Sequence, residues 1–115
     1  MRTLDRVFGW LLVIGGGLHA IGSWMGYRSA PETLVWALAG SLAALLVAAL
    51  NLLRVDRPDD RPLAIVSLGG AIAWTAVAVG FGIAIGNPLD PRAVIHALNG
   101  LALAGMSLRT MARRA

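Results

Sequence analysis

The sequence contains no cysteine and no lysine, and only 14% of its 115 residues are charged. The lack of cysteine excludes disulfides, thiolate metal sites and cysteine nucleophiles. A soluble domain carries about 25% charged residues, whereas 57% of this chain is hydrophobic. A chain this short has too little interior to bury that much apolar surface. The composition therefore excludes an ordinary soluble enzyme or nucleic-acid binder and favours a membrane protein.

The few charged residues divide the chain into four apolar segments. Apolar segments of 21, 21, 24 and 16 residues, all free of charge, cover 7–27, 33–53, 63–86 and 93–108. A transmembrane helix needs about 20 residues, so the first three runs are long enough. The fourth reaches residue 112 if Arg109 snorkels to the headgroups. The first run is longer than the apolar core of a signal peptide, so we expect it to be retained as a span.

These segments predict the fold class. In hydrocarbon the backbone must satisfy its own hydrogen bonds, so the segments are expected to be helices. The connections are short, which favours antiparallel neighbours. We predict an all-α polytopic membrane protein, with residues 1–115 forming a single domain of four transmembrane helices in an up-down bundle.

The distribution of arginine predicts the orientation. Only Arg28 and Arg92 lie in the loops of one side, and the other eight arginines lie on the opposite side. Under the positive-inside rule, both termini and the loop 54–62 are then cytoplasmic. The composition, rich in Ala, Gly, Leu and Arg, is typical of a GC-rich bacterial genome and so indicates a bacterial inner membrane. We interpret the eight as topology determinants and lipid-headgroup contacts, with no role in nucleic-acid binding: Arg2, Arg6, Arg54, Arg57, Arg61, Arg109, Arg113 and Arg114.

An internal repeat relates the two halves of the chain at an offset of 60 residues. The segment that starts at Pro31 aligns with the segment that starts at Pro91. We therefore predict two similar helical hairpins, 7–53 and 63–112. The aligned positions include pairs of small residues four apart, which let helix backbones approach closely in lipid. The predicted helix-packing residues are Gly22, Gly26, Gly40, Ala44, Gly82, Gly86, Gly100 and Ala104.

Three polar side chains inside the predicted spans are the candidate functional residues. His19 and His96 lie on the small-residue faces of the first and fourth segments, and Asn99 follows His96 by one turn. We expect all three to face other helices in the outer half of the membrane. Residue counts place His19 about 12 Å and His96 about 5 Å below the outer ends of their helices, a mismatch of about 7 Å.

Three interpretations of this group stay open. Interhelical hydrogen bonds alone predict a non-catalytic bundle that forms an oligomer or belongs to a larger membrane assembly. A histidine titrates near neutral pH, so the group is also compatible with the outer vestibule of a small solute or ion transporter or channel. A third and less favoured interpretation is a b-type haem with His19 and His96 as axial ligands. No acidic residue lies within a predicted span, and we expect no catalytic residue, no metal site and no resident cofactor.

Overall fold

The computed structural model describes residues 2–112, which form four α-helices and no strand within that range. The helices are α1 (Arg2–Tyr27), α2 (Pro31–Asp56), α3 (Arg61–Ala84) and α4 (Pro91–Ala112). The all-helical class and the number of helices predicted from the sequence are thus confirmed. α1, α2 and α3 are long and apolar enough to cross a membrane, and α4 is not among them. Arg113 and Arg114, predicted at the cytoplasmic end, lie outside the described residues.

Prolines and aspartates explain where the helices after α1 begin. Pro31 and Pro91 are the first residues of α2 and α4, where the missing N–H costs nothing. Asp60 caps α3 by accepting a hydrogen bond from the Leu63 N–H at 2.9 Å. Asp90 precedes α4 and accepts from the Arg92 N–H at 2.9 Å. These side chains satisfy N–H groups that have no partner within their own helix.

Gly86 ends α3. It has a φ of +71°, its N–H donates to Ile83 O at 3.0 Å, and the Asn87 N–H donates to Gly82 O at 2.9 Å. This is the Schellman pattern, in which glycine adopts the left-handed conformation at low cost. Gly86 therefore caps a helix, whereas the sequence analysis assigned it to packing between helices.

The helices pair as α1 with α2 and α3 with α4, and the two pairs meet through α2–α3 and a narrower α1–α4 contact. We use "outer end" for the end that carries the loops at 28–30 and 85–90, and "inner end" for the end that carries the loop at 57–60. Most large apolar side chains point outward and are exposed. The buried core lies between the helices and consists of Leu12, Ala44, Val47, Ala48, Ala71, Trp74, Leu103 and Ala104.

Some of the predicted small residues lie at helix contacts. A Cβ added at Gly82 would lie 3.1 Å from the Ala93 Cβ, and one added at Gly100 would meet Thr75 and, at 3.2 Å, Ala71 O. Ala44 and Ala104 are in the core. The contact between α1 and α2 instead uses a glycine that the sequence analysis did not select. Gly16 lies against α2, where its added Cβ would be 3.2 Å from the Ala44 Cβ.

Other predicted packing glycines have no neighbour in the described part of the chain. No atom lies within 4 Å of a Cβ added at Gly22 or Gly26, and only His19 Cε1, at 3.8 Å, approaches Gly40. The bundle therefore leaves Gly22 and Gly26 of α1 uncovered. The reason is the vertical offset of α1 and α4, which follows from the histidine contacts described next.

Candidate functional site

His19 links the two helices of the first pair. Its Nδ1 lies 2.8 Å from the Ser41 Oγ on α2 and 3.5 Å from the Ser23 Oγ one turn further along α1. Ser41 in turn donates a hydrogen bond to Ala37 O at 3.4 Å. The residue as a whole is nevertheless exposed. His19 thus lies at the edge of the α1–α2 contact, with part of the residue outside the bundle.

His96 fills the space between α1 and α3. Its Cε1 lies 2.8 Å from the position that a Cβ on Gly15 would occupy. The ring also meets Trp74 edge to face, with ring centroids 5.4 Å apart and an interplanar angle of 79°. Any side chain at position 15 would have to displace the His96 ring. Gly15 is therefore what allows His96 to reach α1.

The contact with Gly15 also places the two histidines relative to each other. Gly15 precedes His19 by one turn on the same face of α1, so the His96 ring lies one turn nearer the inner end than His19. This reverses the depth order predicted from residue counts. The counts assumed that α1 and α4 end at the same outer level, and the structure shows that they do not.

The offset between α1 and α4 leaves part of α1 uncovered. From the Gly15–His96 contact, α1 continues for about 18 Å to Tyr27, whereas α4 reaches back only about 8 Å to Pro91. Gly22 and Gly26 share the face of Gly15 and lie above the beginning of α4. Among the described residues, no atom lies within 4 Å of a Cβ added at either glycine. We call this uncovered glycine face of α1, formed by Gly22 and Gly26, the outer step.

Two buried polar atoms of α3 and α4 lack partners among residues 2–112. They are the Trp74 Nε1, a donor, and the Asn99 Oδ1, an acceptor. Trp74 and Asn99 are each 7% exposed. Leaving such a group unpaired costs about 1–3 kcal/mol. His19, His96, Trp74 and Asn99, which we call the outer group, therefore hold hydrogen-bonding capacity that the described chain does not use.

The sequence singles out three members of the outer group as candidate functional residues, whereas the position of Trp74 in the middle of its span predicts packing, and Trp74 is indeed in the buried core. Trp10, Trp24 and Trp36 lie toward the ends of their segments, as interfacial tryptophans do. Trp74 lies in the middle of α3, far from either end.

A second polar cluster lies at the inner end around Arg54. The Arg54 side chain is only 1% exposed. Its Nη2 donates to Asp5 Oδ1 at 3.0 Å, and its Nη1 donates to Thr110 Oγ1 at 2.7 Å and to Met106 O at 3.4 Å. Arg54 therefore joins α2 to both α1 and α4. The arginine distribution predicts a headgroup contact for Arg54, and this is wrong, because the structure places its side chain in the interior.

Asn51 and Ser107 extend this cluster. Asn51 is fully buried, donates to Val47 O at 2.9 Å, and accepts from the Ser107 Oγ at 3.2 Å. Arg109 adds an ion pair to Asp5 Oδ2 at 3.7 Å. We call Asp5, Asn51, Arg54, Ser107, Arg109 and Thr110 the inner network. Apart from the Arg54 Nε, its buried polar atoms have partners within the chain, as expected of a structural element.

The remaining described arginines lie nearer the surface. Arg2, Arg57 and Arg61 are exposed, and Arg6 forms an exposed ion pair with Asp56 at 2.6 Å. At the outer end Arg92 contacts both carboxylate oxygens of Asp90, at 2.9 and 3.0 Å. Hydrogen bonds from Arg92 hold the pKa of Asp90 below its ordinary value. This pair closes the loop between α3 and α4.

The described residues contain no cluster of three or more His, Cys, Asp or Glu side chains that would hold a metal ion. The haem interpretation gains no support from the geometry. The His96 ring packs directly on Gly15, so α1 and α4 leave no slot for a porphyrin at that level. The chain matches no protein-family model, no curated protein and no solved structure.

Proposed function

We propose that this protein is a non-catalytic membrane bundle that associates with copies of itself through the outward face of α3. Its large exposed apolar side chains on all four helices suit a lipid environment. The eight-to-two distribution of arginine supports an inner-membrane location with both termini in the cytoplasm. In lipid, helices associate by close packing of small residues. The proposal therefore depends on whether such a surface is left free.

The outward face of α3 carries a stripe of small residues. Gly69, Ala73, Ala76 and Gly80 follow one another at intervals of four, three and four residues, which places them on one face of the helix. All four are exposed, and a Cβ added at Gly69 or Gly80 would meet no atom within 4 Å. This uncovered stripe is the observation that carries the proposal.

The other faces of α3 are occupied by the protein's own helices. Gly100 of α4 packs against Ala71 and Thr75, and the Ser67 Oγ donates to Leu50 O of α2 at 3.1 Å. The stripe is flanked by exposed β-branched side chains, which are stiff at χ1 and lose little freedom on packing: Ile65, Val66, Ile72 and Val77. Together these residues form a shallow groove with firm edges.

Association is tested by energy transfer between donor- and acceptor-labelled protein in vesicles, as the lipid-to-protein ratio is raised. We expect Gly80→Leu to weaken association at least about tenfold, because the leucine holds the backbones apart. Gly105→Leu is the matched control, since Gly105 of α4 is equally uncovered but is flanked by Leu101 and Leu108. A wild-type chain that stays monomeric contradicts the proposal, as does equal association of the Gly80→Leu variant. Co-purification of a monomeric chain with another membrane protein would favour the larger assembly instead.

A further inference from the structure

We propose that the side of the bundle formed by α4 thins the lipid leaflet at the outer end, so that water and headgroups descend to Arg92. The partner of the α4 surface is thus a bilayer whose hydrocarbon is thinner beside α4 than beside α1. This inference rests on the membrane setting proposed above, but not on self-association, which uses the outward face of α3. Two features of α4 carry it, a short apolar length and a low outer end.

The apolar length of α4 is shorter than that of α1. Arg92 and Arg109 enclose 16 residues without charge in α4, whereas Arg6 and Arg28 enclose 21 in α1. At about 1.5 Å per residue, the two arginines of α4 are about 26 Å apart and those of α1 about 33 Å apart. The hydrocarbon of a typical bilayer is about 30 Å thick. A bilayer that fits α1 is therefore too thick for α4.

Contacts between the two helices place this difference at the outer end. At the inner end, Arg109 is level with Asp5, with which it forms an ion pair at 3.7 Å. Counted from this pair, α1 rises about 33 Å to Tyr27 and α4 about 27 Å to Pro91. The offset derived above from the histidine contact is about 10 Å and has the same direction. Two separate contacts therefore place the beginning of α4 below the end of α1.

The charged pair at the beginning of α4 is held in place, so Arg92 does not extend upward to make good the difference. Its guanidinium donates to both carboxylate oxygens of Asp90, through Nε at 2.9 Å and Nη2 at 3.0 Å. It also lies over the Phe81 ring of α3, 5.3 Å from the centroid. The Arg92 side chain is 71% exposed, so lipid of full thickness would surround it with hydrocarbon. Charged groups in that position draw water and headgroups toward them, which thins the bilayer.

Single cysteines on α1 and α4 measure where water begins beside each helix. Leu18 of α1 and Ile95 of α4 are both 64% exposed, and they lie about 5 Å and 2 Å above the level of His96. If the outer surface of the bilayer is flat, Leu18→Cys is the nearer of the two to water. If the leaflet is thinned beside α4, Ile95→Cys is the nearer. It lies about 6 Å below the beginning of α4, whereas Leu18 lies about 14 Å below the end of α1.

The full-length variants are reconstituted in nanodiscs of a phosphatidylcholine whose hydrocarbon is about 30 Å thick, and their rates of reaction with an impermeant maleimide are measured. We expect Ile95→Cys to react at least about tenfold faster than Leu18→Cys, because a thiol ionises poorly in apolar surroundings. Ser29→Cys, in the exposed loop between α1 and α2, is the reference for a thiol in water. Equal rates at positions 18 and 95, or a faster Leu18→Cys, overturn the proposal. So does a Leu18→Cys rate equal to that of Ser29→Cys, since lipid would then not surround α1.

A second pair of variants tests whether the charged pair causes the thinning. In the Ile95→Cys chain, Asp90→Asn/Arg92→Leu removes both charges, while the asparagine can still cap α4. We expect the lipid to rise and the labelling rate to fall at least about threefold. Arg28→Leu/Glu32→Gln removes one charge of each sign beside the other outer loop and is the matched control, which should label like Ile95→Cys alone. An unchanged rate after the first pair of substitutions, or an equal loss after the second, overturns the proposal.

Discussion

Arg54 carries its charge in a position where water does not reach it. Moving an ion out of water costs several kcal/mol, and a buried pair is stable only if its remaining hydrogen-bonding groups are satisfied. Asp5, Thr110 and Met106 O provide these partners. Removing Arg54 or Asp5 alone is therefore expected to lower the free energy of unfolding by more than the intact ion pair contributes, because the other charge stays buried without its partner.

We predict that Arg54→Met lowers the free energy of unfolding by about 3 kcal/mol, because Asp5 stays buried with only the more distant Arg109. Reversible denaturation in mixed detergent micelles, followed by helical circular dichroism, measures the change. Arg57→Met, at an exposed arginine of the inner loop, should leave stability unchanged. The double variant Asp5→Leu/Arg54→Met should recover most of the loss, and an equal loss in Arg57→Met would contradict the role of the inner network.

Asp90 makes stability depend on pH at the outer end. Its pKa is lowered from 3.8, first by the side-chain hydrogen bond from Arg92. A carboxyl whose pKa is lower in the folded than in the unfolded state stabilises the folded state at pH values above the unfolded pKa. This contribution to stability is lost as the pH falls through the folded pKa. We therefore predict that Tm decreases as the pH is lowered from 5 to 2 (roughly the range that brackets a carboxyl titration).

The control for this prediction is Asp90→Asn. An asparagine oxygen can still accept the hydrogen bond from the Arg92 N–H, so the beginning of α4 is retained. The variant cannot lose a charge, so its Tm should fall less over the same range. Parallel Tm curves for wild type and Asp90→Asn would show that Asp90 does not contribute to the acid sensitivity.

At the scale of the helices, the sequence predicted their number and approximate positions because apolar runs and prolines mark them. The helices extend further than the runs, since helical backbone continues through charged residues whose side chains pair. Arg6 and Asp56 show this, as each lies outside a predicted run and inside a helix. α3 ends earlier than its run because Gly86 terminates it. These differences reflect local capping, which charge counting does not detect.

Contacts between helices were much harder to predict. His19, His96 and Asn99 were found because polar residues are rare in apolar segments. The partners of Arg54 on α4 lie 52 and 56 residues away, and finding them requires the register of one helix against another. The same is true of the run from Gly15 to Gly17. Gly15 meets His96, Gly16 meets Ala44 and Gly17 meets nothing within 4 Å, which composition cannot distinguish.

The different surroundings of Gly16 and Gly17 allow a test of the contact between α1 and α2. Gly16→Leu must push α1 away from Ala44 and Leu45, so we predict a loss of about 1–3 kcal/mol in unfolding free energy. Gly17→Leu changes the adjacent residue in the same way but points into open space, and should be neutral. Denaturation in detergent compares the two. A similar loss in both variants would mean that helix propensity, and not the α1–α2 contact, sets the cost.

Over the whole molecule, the two ends of the bundle differ in how their polar groups are used. The hydrogen bonds of the inner network join α1, α2 and α4 to one another. At the outer end α1 extends past α4, and Trp74 and Asn99 keep unpaired atoms. The polar bonds that join α1, α2 and α4 are therefore concentrated at the inner end. The outward face of α3 carries the exposed small residues on which the proposed self-association rests.

The difference in charge between the two ends also predicts the orientation of the molecule in the membrane. Because the sequence contains no cysteine, each introduced thiol is the single labelling site of its variant. Ser29→Cys and Asn87→Cys place single thiols at exposed positions of the two outer loops, and Thr3→Cys places one at the exposed inner end of α1. With eight of ten arginines on the inner side, the inner end should face the cytoplasm.

In intact bacterial spheroplasts, an impermeant maleimide should label the first two variants and not the third. Permeabilisation should expose all three thiols equally. Labelling of Thr3→Cys but of neither outer-loop thiol before permeabilisation would reverse the orientation. Labelling of Ser29→Cys without labelling of Asn87→Cys would show that α3 and α4 do not both cross the bilayer.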